Sequence, residues 1–235
     1  MVNPRQSPGE QPAFKGVVER DLTTPRAAGV AGIIFAVLYA LAFLFLHQSM
    51  GRALDTETVL RNVTGSGSTL ALAGLYIVPF AGIAFLWFIA VVRDRIGERE
   101  DKFFATVFLG SGLLFVAMLF AAAAVLGGLI AGDRFGTATS ANAATVGFAR
   151  SVGYSLLFVY GAKMAGVFTL ATSSIIRRSG WPRWTSLSGF ATAAVLILSI
   201  TFFEPIVMLF AAWVAVISAY VLVTGGKQAP GGTGF

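Results

Sequence analysis

Six apolar runs of 20 to 30 residues, almost empty of charge, leave this chain one kind of environment to fold in. They are residues 27–46, 69–92, 103–132, 151–176, 184–203 and 205–224, and the only charge inside any of them is Lys163. A helix rising 1.5 Å per residue needs roughly 20 apolar residues to cross about 30 Å of hydrocarbon. Each run meets that length, and the connecting segments are too short and polar to bury a core of their own. The expected architecture is therefore an all-α integral membrane protein, a six-transmembrane-helix bundle in one domain. Composition agrees: 56% of the residues are hydrophobic and 12% charged, about half the charged fraction of a soluble domain.

The last two runs need separating, because residues 184–224 as one helix would reach about 60 Å, twice the bilayer. Glu204 is the only charge there and Pro205 follows it. Proline suits the first turn of a new helix and disfavours continuing an old one, so a tight hairpin is expected at that pair. The third run is longer than a span requires; it must tilt strongly or stop near Gly127-Gly128. Residues 1–26, with Pro4, Pro8, Pro12 and Pro25 among mixed charges, and the Gly/Pro-rich residues 225–235 are expected to be mobile tails.

Lysine and arginine set the orientation, since positive residues collect on the cytoplasmic side. The N-terminal tail, the second and fourth connections and the C-terminal tail hold 12 of them, the first and third connections four, and the hairpin none. This alternation predicts both termini in the cytoplasm. The net charge of +6 thereby follows from topology and attraction to anionic headgroups, and no nucleic-acid partner is expected, because the basic residues are spread over four short segments. Trp87, Trp181, Trp184 and Tyr220 fall near the same interface, where amphipathic rings are favoured.

Small residues four apart let helices approach closely in lipid. Ala124, Gly128 and Gly132 form such a line in the third run, and Ala162 with Gly166 another in the fourth. They predict packing inside the bundle, with a homo-oligomer or membrane partner as the alternative occupant. Pro79, near the middle of the second run, predicts a kink.

Lys163 is the residue most suggestive of function. It lies deep in its run, beyond the reach of either interface by snorkelling, and must be met by water or by a partner from another helix. Its one polar neighbour a turn away is Tyr160. Two readings stand side by side: a structural donor to backbone carbonyls such as those near Pro79, or a charge in a substrate, ion or proton path. Glu204 is the only carboxylate among apolar residues, yet its expected place at the outer surface puts it about 15 Å or more from Lys163. His47 ends the first run on the outer side, where it could make a pH-sensitive mouth or a solvated helix end. Asp55 to Asn62 could form a short surface helix.

Other chemistry is excluded more firmly. No cysteine means no disulfide, thiolate nucleophile or Cys-ligated metal, and one histidine cannot supply both axial ligands of a membrane haem. Ser111, nine residues into its run from the cytoplasmic side, is out of reach of His47. No catalytic set, metal site or cofactor is expected, and an enzyme is the third functional reading.

The run from Arg93 to Glu98 and Arg99 feeding Phe103-Phe104, the Lys163 span and the Trp181-Pro182-Arg183-Trp184 turn resemble uncharacterised multi-pass membrane proteins of bacteria, actinobacteria above all. The resemblance implies the bacterial cytoplasmic membrane and carries no activity or functional residue. The leading expectation is a small transporter or channel-like protein with Lys163 in its path; the rival is a non-transporting membrane scaffold or accessory subunit.

Overall fold

Backbone groups in hydrocarbon find no water, so each apolar segment must pair its N–H and C=O groups internally, and the helix does this within one segment. A computed structural model describes residues 25–50, 67–96, 102–134, 143–178, 181–199 and 206–225. Among these the protein forms six helices and no strand: α1 Pro25–Met50, α2 Gly67–Ile96, α3 Lys102–Arg134, α4 Ala143–Arg178, α5 Arg183–Leu198 and α6 Ile206–Gly225. Five of them, all but α5, are long and apolar enough to cross a membrane.

Three elements differ from their expected extents. α3 continues through Gly127 and Gly128 to Arg134, 33 residues without a break; two glycines cost about 1 kcal/mol each relative to alanine, less than freeing backbone groups in lipid. α4 starts at Ala143, eight residues before the expected 151, and takes a π-helical turn at Ser155–Gly161. α5 stops at Leu198, short of the expected 203, and Ser199 leaves the helix with φ −65° and ψ 128°. Its 16 residues rise about 24 Å, less than the hydrocarbon thickness. Pro25 and Arg26, expected in the N-terminal tail, open α1, and Gly225 ends α6; the rest of the tails, the 55–62 segment, Glu204 and the Glu204-Pro205 turn lie outside the described residues.

Successive helices run antiparallel, as the close approaches at glycine establish. A Cβ on Gly74 (α2) would meet Leu46 (α1), one on Gly112 (α3) Ile89 (α2), one on Gly153 (α4) Leu126 (α3), and one on Gly166 (α4) Ile197 (α5). Trp181, Trp184 and Tyr220 bring the start of α5 beside the end of α6, with ring centroids 5.3 and 5.5 Å apart. Helix α6 packs on α1, α4 and α5. Arg93, Arg177, Arg178 and Arg183 thus share one end of the bundle, hereafter the basic end.

That register brings five phenylalanines to one level. Phe35, Phe85, Phe115, Phe168 and Phe210 come from α1, α2, α3, α4 and α6 in turn, and all are fully buried. Their centroids lie 4.7 Å apart for Phe35–Phe85, 5.3 Å for Phe85–Phe115, 4.9 Å for Phe115–Phe210 and 5.1 Å for Phe85–Phe168. Most of the pairs are tilted or edge-on, the arrangement the ring quadrupole favours. This layer closes the axis of the bundle.

Candidate functional site

Lys163 lies just past the π turn, next to Ala162, whose N–H reaches back five residues to the Leu157 carbonyl. The wider turn rotates the face of α4 after it relative to the face before it. Phe158 is buried on the bundle side, while Lys163 points to α5. Its Nζ donates to the Leu196 carbonyl at 3.2 Å and to the Ser199 carbonyl. These are carbonyls of the last turn of α5, which have no intrahelical partner of their own. The ammonium also meets the negative end of the α5 dipole. Ser199 completes the cap with its N–H on the Val195 carbonyl at 3.0 Å and its hydroxyl on the Leu196 carbonyl at 3.3 Å.

The rest of the α4–α5 hairpin brings Lys163 to that place. Gly166 lies against Leu196 and Ile197, and Gly189 against the Ser173 hydroxyl, so the two helices approach as closely as their backbones allow. Thr169, Thr172 and Ser173 are buried there, each hydroxyl donating to the carbonyl four residues earlier in α4 at 2.7 to 2.8 Å. Two buried groups on α6, Trp213 Nε1 and Ser218 Oγ, have no partner among the described residues.

A cavity of about 60 Å³ lies on the other side of the phenylalanine layer from the basic end. Tyr39, Ala42 and Phe43 of α1, Val78 and Ala81 of α2, Leu119 and Leu126 of α3, and Gly153, Tyr154, Leu157 and Phe158 of α4 are among its walls. Tyr39 is the floor: it is 4% exposed, with its ring against Phe35 at 5.4 Å and Phe115 at 6.1 Å. At the far end His47 stacks on Phe43 at 5.7 Å, and the Arg150 guanidinium sits 5.2 Å from the centre of the Tyr154 ring.

The structure separates the residues that the sequence singles out. Lys163 does not line the cavity; His47 does. Tyr160 is 59% exposed on the outside of the bundle. Pro79 is exposed on α2, which continues as one helix through it. Ala162 and Gly166 are buried inside the bundle, whereas Ala124 and Gly128 face outward, and a Cβ on Gly128 would meet nothing within 4 Å. Gly132 lies in the last turn of α3. No group of three or more metal-binding side chains occurs among the described residues.

Tyr39 and the five phenylalanines are what reading the sequence alone misses. One signal exists: Phe35, Phe85 and Phe168 lie eight or nine residues from Arg26, Arg93 and Arg177, so aligning the spans on their basic ends puts them at one depth. Comparison with protein-family models, with curated proteins and with solved structures finds no match for the chain.

Proposed function

We propose that the protein is a non-transporting membrane scaffold or accessory subunit, a six-span bundle of the bacterial cytoplasmic membrane with both termini in the cytoplasm. The observation that carries this reading is the use of Lys163. A permeation path past a lysine at this depth needs its ammonium free to meet water or solute, and here the ammonium serves the last carbonyls of α5. The phenylalanine layer adds to it, since five rings fill the axis that a path would follow. The outward line of Ala124 and Gly128 supports the other half of the reading, a helix of a second copy or of another membrane protein packed on α3.

Absence of cysteine makes the test direct. Lys163→Cys as the only thiol, and separately Ala165→Cys, which keeps the cap, are exposed to a small charged thiol reagent on one membrane face at a time. Arg93→Cys at the exposed basic end serves as the labelled control. The expected result is no labelling of either thiol in protein that elutes as a single folded species. Labelling of either one restores the transport reading.

A further inference from the structure

The cavity beside the phenylalanine layer has a property the scaffold reading does not use. Its floor residue, Tyr39, is buried within the bundle, its ring is held by Phe35 and Phe115, and its hydroxyl makes no hydrogen bond to a described residue, the oxygen keeping some accessible surface where Tyr39 lines the cavity. Buried tyrosine hydroxyls are normally partnered, because an unmet donor in an apolar setting is costly. We propose that this cavity binds a small neutral molecule with an apolar body and one hydrogen-bonding group, of the chemical class of a short ketone or alcohol, held by the Tyr39 hydroxyl.

Size and charge both narrow the ligand. The cavity measures about 60 Å³, well under the roughly 150 Å³ of a cavity that takes benzene, so the ligand has about four heavy atoms. Ala42, Val78, Ala81 and Leu119 surround the space above Tyr39, and among the described residues no carboxylate, lysine or arginine lines it. An ion would lose its hydration there with nothing to replace it. The phenylalanine layer shuts the cavity toward the basic end, so entry comes past His47 and Tyr154 at the other end.

The test uses the five tyrosines of the chain labelled as 3-fluorotyrosine and read by fluorine NMR in lipid nanodiscs, each resonance assigned by its Tyr→Phe variant, with acetone as the probe. The Tyr39 resonance is expected to shift and saturate, while those of the outward-facing Tyr76 and Tyr160 move only linearly with the solvent. Ala42→Val and Ala81→Val, on different helices, each fill the cavity and are expected to weaken the saturable binding at least about tenfold. Tyr39→Phe, read at Tyr154, is expected to weaken it about fivefold. A linear response at Tyr39, meaning a cavity that holds water or nothing, overturns the proposal. So does saturation that survives in whichever filled variants fold.

Discussion

Replacing Lys163 by methionine keeps the long apolar stem and removes the three donors of the ammonium. Two carbonyls at the end of α5, those of Leu196 and of the cap residue Ser199, then lose the ammonium in a partly buried setting. Each unmet carbonyl costs about 1–3 kcal/mol, and the lost charge–dipole attraction adds up to about 2 kcal/mol in a partly buried setting. Ser199 offsets part of this, since its hydroxyl still reaches the Leu196 carbonyl. The general penalty for a lysine in lipid does not cancel the loss: the helix inserted but unpacked bears that penalty as well. The net destabilisation is therefore expected at about 2–4 kcal/mol. Reversible unfolding in mixed micelles by increasing detergent denaturant, followed by the fluorescence of the four tryptophans, measures it. Lys163→Arg, which keeps charge and donors, is expected to recover more than half of the loss. A methionine variant within about 0.5 kcal/mol of the parent, the scatter of an ordinary surface substitution, would refute the capping role.

Three further outcomes follow from the packing. Gly189→Val places a side chain on the Ser173 hydroxyl and is expected to destabilise by more than about 2 kcal/mol in the same assay. Gly128→Ala, where a Cβ meets nothing in the chain, is expected to stabilise the monomer by about 0.5–1 kcal/mol through helix propensity. Ser218→Ala removes a buried hydroxyl that has no partner among the described residues; its midpoint of unfolding is expected to be unchanged or higher, because an unmet polar group contributes cost without gain.

The spans were legible because the bilayer imposes a length and a polarity on any segment that crosses it, and both are written in runs of consecutive residues. α1, α2 and α6 end within a few residues of their expected limits. The bounds of α5 were not legible. Residues 184–203 remain apolar throughout, and what stops the helix at Leu198 coincides with an ammonium from another helix, 35 residues earlier in the chain. The same holds for Lys163 itself. Its depth and its need for a partner on another helix follow from its position in the run, but the choice of the α5 carbonyls over groups near Pro79 depends on the α4–α5 register, which Gly166 and Gly189 permit by their close approach. Tyr160 and Lys163 are neighbours in sequence, yet the π turn that ends at Gly161 puts one on the outside and the other in the seam.

Sequence alone thus determined what hydropathy and charge can encode locally: helices, their approximate lengths, a membrane setting, and the absence of cysteine or clustered-histidine chemistry. Tertiary structure decided everything that depends on which face of a helix meets which neighbour. It brought five phenylalanines from five helices to one level, left Tyr39 facing a cavity above them, turned Gly166 inward and Gly128 outward, and set the half-buried Lys163 on a helix end. Lipid is as apolar as the residues it touches, so hydrophobicity does not distinguish the inward face of such a helix from the outward one; only the close fit of small residues and the satisfaction of backbone carbonyls do, and those exist only once the helices are packed.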